Sequence, residues 1–135
     1  MPEKAINLVL AARLKAARKA LGLSQVDVGV QMGLPEETSS ARVNRWEKGV
    51  HPPSLKSAEE LAEVLGLPLP ALVSRDDVMA EMIASFALLP KAEQQAVLAK
   101  VQKALGAAQA EQVRGKLAAA TPAAKKAKKA SDRRL

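Results

Sequence analysis

The residues able to do chemistry in this chain are few, and their types restrict what it can be. There is no Cys and no Tyr, and His51 is the only imidazole. Disulfides, thiolate metal sites and thiol nucleophiles are thereby removed. No carboxylate pair, metal-ligand cluster or glycine-rich phosphate loop stands out, so a catalytic centre has little to draw on. The sequence implies no cofactor and no metal, and no small-molecule ligand is evident. What remains is cationic and amide chemistry aimed at anions and hydrogen-bonding edges. Ser24-Gln25-Val26-Asp27 reads as a capping box, which opens a helix with an amide side chain beside unpaired backbone N–H groups. Such an end attracts a phosphate.

The cationic charge is unevenly placed. The formal net charge is +7, yet most of the excess lies in residues 121–135, where Lys125, Lys126, Lys128, Lys129, Arg133 and Arg134 face a single acid, Asp132. The high isoelectric point is therefore not by itself a nucleic-acid-binding face on the folded part. This Lys/Ala tail has almost nothing to bury and reads as disordered in isolation. It is either a solubilising extension or an arm that binds DNA phosphate without sequence preference. The second reading is favoured if a DNA-binding domain precedes it.

The elements that must position these groups are helices. Apolar content reaches 48%, much of it Ala, and no segment alternates as a strand does. From Ala5 to Leu21, the residues Leu10, Leu14, Ala17 and Leu21 share one face, and Gly22 ends the helix. The capping box starts a short helix from Gln25 to Met32, stopped by Gly33. Leu34-Pro35-Glu36-Glu37 reads as loop. Ser39 or Ser40 then caps a third helix through Glu47 to Gly49. His51-Pro52-Pro53 is rigid coil, Ser54 caps a fourth helix ending at Gly66, and Pro70 suits the first turn of a short fifth. No run approaches a membrane span of ~20 apolar residues, and the first residues lead into a helical pattern rather than a signal sequence. These features suggest a cytoplasmic protein with no membrane partner.

A short helix, a tight stop and a third helix crossed by a fourth is the order of a helix-turn-helix in a five-helix bundle. Leu21-Gly22-Leu23-Ser24-Gln25, Val28-Gly29, Gly33, Val43-Asn44-Arg45-Trp46-Glu47-Lys48-Gly49, Pro53-Ser54-Leu55, Ala62 and Leu65-Gly66 together resemble the Cro/lambda-repressor class, the xenobiotic-response-element family of transcriptional regulators. The resemblance spans residues 8–73. It implies an all-α, lambda-repressor-like five-helix bundle over 1–73; outside it, the apolar pattern gives two or three C-terminal helices over 74–120, and composition gives the disordered tail over 121–135. Relative to the shortest family members there is a short insertion, Leu34-Pro35-Glu36-Glu37-Thr38, read here as a lengthened turn.

The resemblance also assigns roles. Anchored backwards from Glu47, the family's groove-facing positions fall on Ser40, Ala41, Asn44 and Arg45, with Arg42 beside them. Arg45 can bond guanine O6 and N7, Asn44 adenine N6 and N7, and Ala41 a thymine methyl. Taken alone, Arg42 and Arg45 read as solvated surface arginines; within this motif, groove contact is the favoured reading. Gln25, Ser39 and Lys48 are phosphate candidates, and His51 is balanced between that role and plain surface. Gly29 falls where the family keeps a small residue for close helix approach. Trp46 matches a core position rather than a base-stacking one. In the resembling family an Arg and a Glu at the positions of Arg18 and Glu47 pair across the bundle.

Beyond the resemblance, Val78, Met79, Met82, Ile83, Phe86 and Leu89 form one apolar stripe. Ala96, Val97, Val101, Ala104 and Leu105 form another, extended weakly by Val113 and Leu117. Two such helices cannot close a core alone, so the segment is expected to dimerise or, failing that, to cover the bundle. The leading expectation is a repressor-like homodimer on double-stranded DNA of a bacterial or phage nucleoid, with half-sites about 34 Å apart. The alternatives are an antitoxin-type interaction module with autorepression and, less favoured, a scaffold domain of an enzyme such as cyanase.

Overall fold

A computed structural model describes residues 5–120 of the chain, with side chains as far as residue 118. The Lys/Ala tail, with Lys125, Lys126, Lys128, Lys129, Arg133 and Arg134, lies outside the described residues. Those described form helices α1 (Ile6–Ala20), α2 (Gln25–Gln31), α3 (Glu36–Lys48), α4 (Leu55–Leu65), α5 (Leu69–Leu72), α6 (Asp77–Ala87), α7 (Lys91–Leu105) and α8 (Ala107–Ala120). No strand occurs among them. The all-α expectation is met.

The chain divides into two compact units after Leu88. The first holds α1 to α6. Its core is built from Leu10 and Leu14 of α1, Val28 of α2, Val43 and Trp46 of α3, Leu61 and Leu65 of α4, and Leu72 of α5. Leu14, Val28, Val43, Leu61 and Leu72 are fully buried. Trp46 sits in this cluster, so its indole is spent on packing. At ~25 cal/mol per Å2 of apolar surface removed from water, contacts of this kind hold the short helices, which would not persist alone.

Local chemistry sets the element ends. The Ser24 side chain accepts from the Asp27 backbone N–H at 3.0 Å, and Asp27 accepts from the Ser24 N–H at 2.8 Å. The backbone hydrogen bond from Ser24 holds the Asp27 carboxyl below its ordinary range, so the box is made by the ionised form. Ser54 and Asp76 cap α4 and α6 with one such bond each, accepting from the Ser57 and Met79 backbone N–H groups.

The α6 helix belongs to the bundle, which moves the boundary expected after residue 73 to 88. Arg13 of α1 donates from Nε to the Ser74 carbonyl at 2.8 Å and from Nη2 to Asp77 at 3.1 Å, fixing where α6 begins. Within a single copy the apolar stripe on this helix is covered only in part: Val78, Met79 and Met82 are exposed, Ile83 and Phe86 are half-buried, and Ala80 is buried. Ala80 and Ala84 face the crevice lined by Ala16, Ala17 and Ala20 of α1.

The second described unit is the pair α7 and α8, joined at Gly106. Ala110 is its one buried residue among those described. Leu98, Val101, Leu105, Val113 and Leu117 line an apolar groove between the two helices and remain exposed.

Candidate nucleic-acid interface

The third helix starts one turn earlier than its sequence suggests. Pro35 occupies the N-cap position and α3 runs from Glu36, with Glu36 and Glu37 in its first turn, where carboxylates favour the helix dipole. Leu34-Pro35-Glu36-Glu37 is therefore not a loop beyond Pro35, and neither Ser39 nor Ser40 is a cap. The connection from α2 is the four residues Met32 to Pro35, the length of an ordinary helix-turn-helix turn. Gly33 carries a φ of 89° there, a conformation side-chain-bearing residues rarely adopt. Of the residues read as a lengthened turn, Glu36, Glu37 and Thr38 lie in the first turn of α3.

The contact between α2 and α3 is very close. A Cβ built on Gly29 would lie 2.3 Å from the Ser39 Cβ. Ser39 is fully buried there, and its hydroxyl donates to the Pro35 carbonyl at 2.7 Å. This corrects its expected role, because a side chain with no accessible surface and a satisfied hydroxyl cannot reach a phosphate.

The far end of α3 is held by α1. Gly49 closes the helix with φ 71°, its carbonyl accepts from the Asn7 side-chain amide, and Leu8 packs where a Gly49 Cβ would stand. The structure also brings Arg18 and Glu47 together. Nε donates to one carboxylate oxygen at 2.7 Å and Nη2 to the other at 2.9 Å, while Nη1 donates to the Leu23 carbonyl at 2.9 Å. The two side chains keep only 12% and 3% of their surface. Hydrogen bonding to Glu47, opposed by desolvation, raises the Arg18 guanidinium above its usual pKa. A paired, two-pronged contact of this kind fixes the angle of α3 as well as its position.

With α3 held in this way, its outer face is defined. At roughly 100° per residue, Glu37, Ala41, Asn44 and Lys48 fall along one line, flanked by Ser40 and Arg45. Ser40, Ala41, Arg45 and Lys48 are exposed, and Asn44 is half-buried. Arg42 is exposed too, but further round, beyond Arg45. Gln25 stands at the start of α2 against this face. Its Nε2 donates to Asn44 Oδ1 at 3.2 Å and to Glu47 Oε1 at 3.4 Å, and its Oε1 accepts from the Ser40 hydroxyl at 3.3 Å. His51 is exposed in the coil after α3. Glu37 is the residue of this face that the sequence pattern did not single out. A signal for it exists, since Pro followed by two acids is a helix start.

No group of acidic and His residues able to hold a metal occurs among the described residues, and no described helix is long and apolar enough to cross a membrane. A buried inner face, a fixed crossing angle and an outer face of amide, hydroxyl, carboxylate and cationic groups define a helix-turn-helix, and the helix-turn-helix family model matches residues 14–72. Among solved structures the chain is similar to the crystal structure of the transcriptional regulator BswR, at 33% identity and a TM-score of 0.63, covering 69% of this chain and 92% of that one. No curated protein matches it. The chain belongs to the xenobiotic-response-element family of helix-turn-helix transcriptional regulators.

Proposed function

We propose that this regulator binds a specific operator as a homodimer and acts in the manner of a repressor, with α3 in the major groove. The observation that carries this reading is the outer face of α3, which is polar and accessible while Val43 and Trp46 anchor the inner face in the core. In this reading Arg45 bonds guanine O6 and N7, Ser40 and Ala41 approach neighbouring base edges, and Glu37 accepts from a cytosine amino group at the end of the helix that enters the groove first. Arg42 lies at the margin of the face and Lys48 at its C-terminal end, where Lys48 and His51 meet backbone phosphate. The protein carries out no catalysis and takes no cofactor.

The partner for the α7–α8 groove is a second copy of the chain. Leu98, Val101, Leu105, Val113 and Leu117 stay exposed on the pair taken by itself, and an apolar surface of this kind is better matched by itself across a two-fold axis than by water. Two copies present two recognition helices, which a pseudo-palindrome with half-sites ~34 Å apart would accommodate.

Selection of bound DNA from a random pool tests the reading. An inverted repeat should emerge, and sedimentation should give a dimer; a pool with no enriched motif would sink it. Arg45→Ala should cost about 1–3 kcal/mol on the selected site and relax one base pair. Unchanged affinity and an unchanged motif would mean that α3 meets DNA in another register.

The tail enters as an electrostatic arm. Deleting residues 121–135 removes Lys125, Lys126, Lys128, Lys129, Arg133 and Arg134. The slope of log K against log salt should become shallower by about 0.9 for each phosphate that the arm neutralises. The selected motif should not change, because phosphate contacts position but do not specify. An unchanged slope would make the tail a passive solubiliser.

A further inference from the structure

The hydrogen bonds around Gln25 have a direction, and the buried ion pair sets it. Glu47 takes two hydrogen bonds from Arg18. A carboxylate so bound is ionised and can only accept. The Gln25 atom 3.4 Å from Glu47 Oε1 must therefore be the amide nitrogen. That nitrogen is also 3.2 Å from the Asn44 side chain, so the Asn44 atom facing it must be the carbonyl oxygen. Turning Gln25 this way leaves its own oxygen toward Ser40, whose hydroxyl donates to it at 3.3 Å. Each orientation is forced by the one before.

We infer that the Arg18–Glu47 pair, acting through Gln25, sets which hydrogen-bonding groups α3 shows to the base edges: Asn44 shows its NH2 and Ser40 an accepting oxygen. This rests on the DNA-binding reading above and goes beyond it. With its oxygen held inward, Asn44 offers donors alone. The matching edge is guanine, whose N7 and O6 are adjacent acceptors, and not adenine, whose amino group would meet the Asn44 NH2. Gln25 is then a positioning residue for base preference. A role confined to phosphate would act on all sequences alike.

The experiment is a selection from a random DNA pool with the full chain and three variants, each first checked for cooperative unfolding. Asn44→Ala identifies the base pair that Asn44 reads, as the one whose preference relaxes. In the wild type that pair should carry guanine. Gln25→Met keeps the length of the side chain but makes none of its hydrogen bonds, so Asn44 is free to turn over. The guanine preference at that pair should then fall about tenfold, with the rest of the motif retained. Gln25→Glu can only accept, so Asn44 should turn its NH2 inward, and the preference should move to a base with an amino group at that edge, cytosine or adenine. Adenine at that pair in the wild type would overturn the inference. So would a Gln25→Met motif identical to the wild type's at lower affinity, and both results would leave the regulator reading standing. A wild type that enriches no motif would instead remove that reading, and this inference with it.

Discussion

Arg18→Ala lowers the stability of the first unit by about 3–5 kcal/mol, the cost of stranding a buried carboxylate. The expectation follows from three facts about the pair. Both side chains are nearly inaccessible. Both carboxylate oxygens are used by the guanidinium. The third arm of Arg18 holds the Leu23 carbonyl just ahead of α2. Losing Arg18 leaves Glu47, among the described residues, with Gln25 as its one remaining side-chain donor, at 3.4 Å, a single neutral amide that orients but does not replace two charge-assisted bonds. Glu47→Ala should cost a similar amount by stranding the guanidinium. The double variant should be much less unstable than the two losses added, because neither charge is then left alone. The raised guanidinium pKa keeps the Arg18 side of the pair charged throughout the pH range below the unfolded Arg value and until the folded value is passed, so alkaline titration short of that range should not imitate the mutation. Urea unfolding of the cycle measures all of this. Additive effects below about 1 kcal/mol, the size of an exposed pair, would show that the contact does not hold α3.

The sequence foretold those parts of the fold that rest on local chemistry. The capping box at Ser24 and Asp27, the Ser54 cap and the stop at Gly22 need only a few neighbouring residues to be recognised. The pairing of Arg18 with Glu47 joins residues far apart in the chain, and only the family resemblance pointed to it. The start of α3 is easily misread because serine serves two purposes. Ser39 has the side chain of a cap, but inside a helix its hydroxyl can turn back on the carbonyl four residues earlier, and here it does so to Pro35. Once Ser39 is taken as a cap, Glu37 falls in a loop and drops out of the recognition face. The stripe on α6 is legible in the sequence, but what it meets is not. Periodicity shows which residues share a face, but not which face meets the protein. On α6 the small Ala80 is the buried residue, while the bulkier Val78, Met79 and Met82 are left outside. The polarity of the Gln25 network was out of reach of any sequence pattern, because it depends on which atoms of two amides face a carboxylate.

The close passage of α2 over α3 gives the other large effect. Glycine inside a helix is ordinarily a weakness, and replacing it by alanine where there is room stabilises by about 0.5–1 kcal/mol. Gly29→Ala should do the reverse. Its methyl would stand 2.3 Å from the Ser39 Cβ, 2.5 Å from the Ser39 Oγ and 2.9 Å from the Ser39 Cα, where carbon atoms at rest lie about 3.5–4.0 Å apart. A rotamer change can move Oγ, but it cannot move Cβ or Cα, so the helices themselves must separate. Overpacking that shifts backbone costs about 1–3 kcal/mol and sometimes more. Separation would also loosen the Gln25 hydrogen bonds to Ser40 and Asn44, so affinity for DNA should fall along with stability. Adding Ser39→Gly removes two of the three clashing atoms, and the pair of changes should recover part of the loss, less about 1 kcal/mol for a glycine within α3. Gly115 in α8 supplies the comparison within the same chain. It too lies inside a helix, but an added Cβ there meets nothing within 4 Å, so Gly115→Ala should stabilise α8 or leave it unchanged. If Gly29→Ala unfolded in urea at or above the wild-type midpoint, the two helices would not be in the contact that sets the recognition face.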